Sequence, residues 1–205
     1  MDILIKKNLI NSYNKQAMNR DSMLIPDWKT KERDHFMECL INENKKNILE
    51  IGAGPGRDSL YFKENGMETM SIDLSPEMVR LCKEKGLNAK VMSFENLDFP
   101  DECVDSIWAL NCLLHVPKSH IREVLAEIRR VLKPSALFYL GLYGGMNWEG
   151  VWPNDSYEPK RFFSFFEEES IKELLADFLE VEYFNVLPAS VVGGSLSFQS
   201  IILRK

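Results

Sequence analysis

Short apolar runs alternate with stretches whose apolar positions recur every three to four residues. Ile48 to Ile51, Glu68 to Ile72, Ala89 to Met92, Val104 to Leu110, Ala136 to Leu142, Glu180 to Leu187 and Leu196 to Leu203 read as strands. Val104 to Leu110 is almost uniformly apolar, the pattern of a strand covered on both faces. Between the strands lie helical patterns. The clearest starts at Ser119: Ile121, Val124, Leu125, Ile128 and Leu132 fall on one face, with Arg122, Glu123, Glu127, Arg129 and Arg130 mostly on the other. Lys133-Pro134 stops it. Asp58 to Asn65 is a second helix, closed by Asn65-Gly66. Ser75-Pro76-Glu77 opens a third, with a capping hydroxyl, proline at the first helical position and an acid at the positive end of the dipole. Ser170 caps a fourth, carrying Ile171, Leu174, Leu175 and Phe178.

Strand–helix alternation calls for an α/β fold, a mostly parallel sheet with helices on both faces. The last two strands break the alternation. Their short connection holds Gly193-Gly194, so they pair as an antiparallel hairpin. Residues 1–45 precede the sheet and read as a helical cap. Residues 144–167 hold an irregular aromatic segment, too long for an idle connector. The expected organisation is one domain over residues 1–205: cap 1–45, a ligand-binding half 46–143, the aromatic loop 144–167, and a final helix with hairpin 168–205.

At 205 residues the chain has room for one full core. A net charge of −6 and the lack of a basic stripe argue against a nucleic-acid partner. Cys39, Cys82, Cys103 and Cys112 show no metal-ligand spacing, so no metal is expected and the four read as reduced thiols of a cytoplasmic protein. No apolar run is long enough to span a bilayer, and no membrane partner is expected.

Chemistry concentrates where the first strand ends. Glu50-Ile51-Gly52-Ala53-Gly54-Pro55-Gly56 places three glycines at alternate positions, followed by Arg57. Such a turn lets backbone approach a ligand and aims free N–H groups at it. Asp73 ends the second strand, about 20 residues on, where a carboxylate can accept ribose hydroxyls. The dinucleotide fingerprint is Gly-x-Gly-x-x-Gly. Here the register is Gly-x-Gly-x-Gly with Arg57 at the third fingerprint position, which opposes close docking of a pyrophosphate. Glu50 adds negative charge suited to a cationic ligand.

Glu50-x-Gly52-x-Gly54-x-Gly56 together with Asp73 resembles the first two motifs of class I S-adenosylmethionine-dependent methyltransferases, from about Tyr13 to the C-terminus. The resemblance implies a Rossmann-like seven-stranded sheet of order 3-2-1-4-5-7-6 with the last strand antiparallel. It also implies S-adenosyl-L-methionine as cofactor and S-adenosyl-L-homocysteine as product. It puts Tyr13, Glu50, Gly52, Ala53, Gly54, Gly56, Asp73, Leu74, Met78, Ser93, Phe94 and Leu110 at the cofactor. The family often has an acid at the Ser93 position, and two glycines where this chain has Ser135-Ala136. The segment from Asn111 to Pro117 borders donor and acceptor in related enzymes. Its His115 is either a catalytic base or a loop holder.

The acceptor side is expected at Trp28, His115, Tyr143, Trp148, Trp152, Arg161 and Phe162. Arg161 suits a carboxylate or phosphate, and the tryptophans suit a cationic amine. The implied activity is methyl transfer to an oxygen or nitrogen of a small molecule. The competing readings are a non-catalytic S-adenosylmethionine-binding module or partner subunit, a protein or tRNA methyltransferase, and an NAD-type oxidoreductase.

Overall fold

The computed structural model describes residues 1–205. Two helices come first, α1 (Ile3–Ser22) and α2 (Asp27–Asn42), followed by β1 (Asn47–Ile51), α3 (Arg57–Glu64), β2 (Glu68–Asp73), α4 (Pro76–Glu84), β3 (Ala89–Val91) and β4 (Val104–Leu110). A 3₁₀ turn at Leu113–His115 leads to α5 (Ile121–Val131), β5 (Leu132–Gly144), β6 (Trp148–Val151), β7 (Phe162–Phe165), α6 (Glu168–Ala176), β8 (Glu180–Leu187), the single turn α7 (Ala189–Val192) and β9 (Ser197–Arg204).

The seven-stranded sheet has the order β3-β2-β1-β4-β5-β9-β8. β1 to β5 run parallel, and β9 pairs antiparallel with both β5 and β8. This is the expected Rossmann-like order with its antiparallel end. The strands are buried because both faces are covered. One face carries the main core of Leu49, Ile51, Ile107, Phe138 and Ile201 against α5 and α6 residues such as Val124, Leu125, Ile128 and Leu175. The other packs Trp108, Leu137, Tyr139 and Ile202 against Phe36, Met37 and Leu40 of α2 and Phe62 of α3. The indole of Trp108 stacks on Tyr139 at 3.9 Å between ring centroids. Burying such rings removes large apolar areas from water, about 25 cal/mol per Å².

Several local expectations shift. α5 begins at Ile121, with His120 rather than Ser119 at the N-cap and no side-chain cap. α6 begins at Glu168, which places Ser170 inside the first turn. Lys133-Pro134 does not separate α5 from the strand. β5 starts at Leu132, and the register slips between Val104 and Ser106 of β4, where Ser135 takes a φ of 61°. The aromatic segment is not wholly irregular. β6 and β7 form a separate two-stranded antiparallel ribbon, Trp148 opposite Phe165. Ser75 does cap α4, accepting from the Met78 N–H at 3.2 Å.

Candidate active site

The parallel strands all deliver their carboxyl ends to one edge of the sheet, and α1 lies across that edge against α4. β1 runs into the glycine turn. Gly52 has a φ of 66°, and a Cβ there would come within 2.3 Å of the Cys112 Cβ. Gly54, φ 55°, faces open space, with nothing within 4 Å of a would-be Cβ. Both conformations suit glycine. Asp73, at the end of β2, holds the turn: Oδ2 accepts the Gly54 N–H at 2.8 Å and Oδ1 the Ser75 N–H at 2.8 Å. Burial pushes its carboxyl up, against the pull of those two N–H groups.

Around these tips lies a partly open cavity. Of the residues named from sequence as cofactor contacts, Tyr13, Gly52, Gly54, Asp73, Leu74, Phe94 and Leu110 line it. The remaining five do not. Glu50 is 4% exposed and accepts a hydrogen bond from Ser59 Oγ. Burial, reinforced by Asp58, raises its pKa well above the carboxylate range. Glu50 is thus sealed behind the turn and does not line the cavity, so its carboxyl is not presented to a ligand there. Gly56 packs on Cys82 and Leu87, and Ala53 belongs to the same small apolar cluster. Met78 is fully buried with Ala17 and Leu81 between α4 and α1. Ser93 bonds within its own loop, to the Glu95 carboxylate and N–H.

The cavity is also lined by Leu9, Ile10 and Arg20, which sequence reasoning missed, by Met92 just after β3, and by Asn111 and Cys112 of the segment expected to border donor and acceptor. Two of these carry buried polar atoms without a partner, Arg20 Nε and Asn111 Oδ1. Helical periodicity from Tyr13 places Arg20 two turns on along the same face of α1, a signal that pattern reading passed over.

His115 sits at the cavity wall, 5% exposed. Nδ1 lies 2.7 Å from the Phe162 carbonyl, which only accepts, so the ring proton resides on Nδ1. Nε2 then accepts the Tyr13 hydroxyl proton at 2.6 Å. The Tyr13 oxygen in turn accepts from Arg161 Nη1 at 3.1 Å. Burial drives the imidazole pKa down to about 3, opposed by the Phe162 carbonyl. Arg161 is held by Asp155 through Nε at 2.9 Å and Nη2 at 2.7 Å, and its guanidinium lies 3.7 Å from the Tyr157 ring centroid.

Beyond Arg161 lies a second, more open depression between the end of β5, the β6–β7 ribbon and the β8–β9 connection. Tyr143, Trp152 and Arg161 line it, with Phe163 and Phe165. The other residues expected at an acceptor are placed differently. Trp148 meets Trp152 edge-on at 4.9 Å and stacks on Phe165 at 5.8 Å, so the tryptophans occupy each other's faces instead of forming an open cage. Trp28 is buried against Phe198 at 4.6 Å and lines neither pocket. Phe162 contributes its carbonyl to His115, not its ring. No group of three or more His, Cys, Asp or Glu side chains is arranged to hold a metal ion. No helix is long and apolar enough to cross a membrane.

A family model described as a methyltransferase domain matches residues 49–140, the stretch from β1 into β5 that carries the glycine turn, Asp73 and His115. Over that stretch the chain is similar to S-adenosylmethionine-dependent methyltransferases. A Methanosarcina mazei methyltransferase of this kind aligns at a TM-score of 0.67 and 26% identity, covering 78% of this chain and 92% of that one. The 1,6-didemethyltoxoflavin-N1-methyltransferase of Burkholderia thailandensis, solved with S-adenosylhomocysteine, shares the fold at a TM-score of 0.72 and 20% identity, over 96% of this chain and 87% of that one. The demethylmenaquinone methyltransferase of Tropheryma whipplei is 30% identical over 93 residues, 43% of this chain and 38% of that one. The chain thus matches well under half the length of such curated relatives. S-adenosylmethionine is the methyl donor of the family. The part of the chain that carries the glycine turn and Asp73 is the part the family model matches. The aromatic ribbon and terminal hairpin lie outside it.

Proposed function

We propose that the protein transfers the methyl group of S-adenosylmethionine to an oxygen or nitrogen of a small molecule by in-line displacement. One observation carries the reading: the Asp73 carboxylate and the Cβ-free backbone of Gly54 line the same cavity. When bound, S-adenosylmethionine would supply a methyl made electrophilic by its sulfonium.

The cavity's own groups fit that donor. Asp73 oxygens each have one N–H bond and spare lone pairs for a ribose diol. Leu74 and Phe94 offer apolar surface for a base. The unpaired Arg20 Nε is a donor for a carboxylate. Tyr13 and α1 form the roof that excludes water. Tyr13 and His115 support one another, so His115 is assigned to positioning the cavity wall. The acceptor is assigned to the aromatic depression of Tyr143, Trp152 and Arg161, which adjoins the donor cavity across Arg161 and Tyr13.

Relatives bearing names of quinone, sterol and acyl-carrier-protein methyltransferases support a methyl transfer and no single acceptor class. Calorimetric titration with S-adenosylhomocysteine, followed by transfer of labelled methyl to a metabolite panel, tests the reading. Saturable binding with a methylated product supports it, and absence of binding rejects it.

A further inference from the structure

The wall of the donor cavity holds a hydrogen-bond acceptor with nothing to accept. Asn111 follows β4 in a left-handed conformation, φ 56°, and its N–H donates to the Gly141 carbonyl at 2.7 Å, which pins the residue where the chain leaves the sheet. Asparagine is among the few non-glycine residues that tolerate this backbone. Its Oδ1 is buried without a partner, and the residue lines the cavity beside Cys112 and His115. A buried oxygen left unpaired is unfavourable until a ligand brings it an N–H or O–H.

The neighbouring side-chain acceptors of that wall, His115 and Tyr13, are engaged with each other and with the aromatic segment. His115 has its proton on Nδ1 against the Phe162 carbonyl and its Nε2 filled by Tyr13. The Tyr13 hydroxyl gives its proton to His115 and accepts from Arg161. Asp73 belongs to the β2 end of the cavity, bonded to Gly54 and Ser75. Glu50 is behind the glycine turn, bonded to Ser59. Beside Asn111 the wall therefore offers an orienting acceptor, while its imidazole is already engaged on both nitrogens. An alcohol or phenol must lose a proton to attack well, whereas a neutral amine already has a lone pair. Next to this wall lies the aromatic depression, whose Phe163 ring stands 4.7 Å from the His115 ring.

We propose, resting on the donor reading above, that Asn111 Oδ1 accepts an N–H of the methyl acceptor, and that this acceptor is a primary or secondary amine on an aromatic ring. Such a nitrogen is uncharged near neutral pH. Its lone pair forms the N–C bond as the C–S bond breaks, and the electron pair of that bond stays on sulfur. The nitrogen becomes positively charged and keeps its hydrogen against Oδ1. It gives that proton to water after release. The ring would rest among Tyr143, Trp152, Phe163 and Phe165.

Matched probes test this: aniline against phenol, and 4-aminobenzoate against 4-hydroxybenzoate, each with S-adenosylmethionine and product detection by mass. Methylation of the amine members is expected. Methylation of the phenols alone, or of no amine member, overturns the proposal. Asn111→Gly removes the carboxamide while keeping the left-handed backbone unstrained. It is expected to leave S-adenosylhomocysteine affinity within about twofold and to lower amine methylation about tenfold or more, the effect of losing one hydrogen bond to a developing cation. Asn111→Asp, which retains an acceptor oxygen, is expected to recover most of that loss. If Asn111→Gly weakens S-adenosylhomocysteine binding as much as it slows transfer, Oδ1 serves the donor and the proposal falls. Failure of the unaltered protein to bind S-adenosylhomocysteine would instead bring down the donor reading beneath it.

Discussion

The Tyr13 hydroxyl of the N-terminal helix donates to His115 Nε2 at 2.6 Å, joining two residues 102 positions apart. With Nδ1 committed to the Phe162 carbonyl and Arg161 donating to the Tyr13 oxygen, the imidazole is the centre of a closed chain of hydrogen bonds. The chain ties the cap to the loop after β4 and to the aromatic segment. Tyr13→Phe breaks it on both sides, leaving Nε2 buried without a donor. Urea unfolding is expected to show a loss of about 1–3 kcal/mol, the cost of an unsatisfied buried polar group, with the slope of the transition unchanged.

The same burial gives a pH signature. The His115 pKa is lowered to about 3 in the fold, from an ordinary 6.5. Below pH 6.5 the unfolded chain takes up a proton at this residue and the folded protein does not. The stability that His115 contributes is therefore complete above pH 6.5 and declines as pH falls toward 3. Asp73 and Glu50, whose pKa values are raised, act in the opposite sense. Comparison with His115→Gln cancels them. The stability advantage of the unaltered protein over this variant is expected to shrink by about 1.4 kcal/mol per pH unit between pH 6 and 4; a constant difference would show that His115 titrates normally.

Asp73 stands at the junction of fold and ligand. Asp73→Ala removes the acceptor for the Gly54 and Ser75 N–H groups and, on the proposed reading, the ribose partner. S-adenosylhomocysteine affinity is expected to fall at least about tenfold, the loss of a charge-assisted hydrogen bond. A ligand-free melting curve distinguishes this from general unfolding. Near-native affinity would remove Asp73 from the site.

Gly52→Ala places a methyl 2.3 Å from the Cys112 Cβ at a φ of 66°. The clash and the left-handed strain together are expected to cost about 1–3 kcal/mol or more. Cys112→Ala keeps the offending Cβ and should give no relief, whereas Cys112→Gly should restore part of the loss. Denaturant midpoints of the three variants check this order.

The sheet was legible in the sequence because each parallel strand must be apolar on both faces, and Val104–Leu110 and Ile48–Ile51 leave little choice of period. The antiparallel end followed from the short Gly193-Gly194 connection. Helix starts were less legible at Ser119 and Ser170, since a hydroxyl marks a cap only when tertiary packing lets the helix begin there, and α5 and α6 start at Ile121 and Glu168. The β6–β7 ribbon escaped because Phe162 to Phe165 shows no clean alternation.

At the site, the glycine turn and Asp73 were readable from spacing alone. Glu50 was expected at the ligand, but sequence does not show on which side of the turn a side chain lies, and Glu50 is buried behind it. Arg20 was missed, and the part Asn111 plays was not specified, because each matters through a buried atom without a partner, which no sequence displays. Trp148 and Trp152 meet edge-on instead of forming an open cage, and of the two only Trp152 lines the aromatic depression.

The central claim is that the cavity between the glycine turn and Asp73 takes S-adenosylmethionine and not a dinucleotide. Paired calorimetric titrations with S-adenosylhomocysteine and NAD test it most directly. The account predicts one saturable site for S-adenosylhomocysteine and no heat beyond dilution for NAD; binding of NAD without binding of S-adenosylhomocysteine would contradict it.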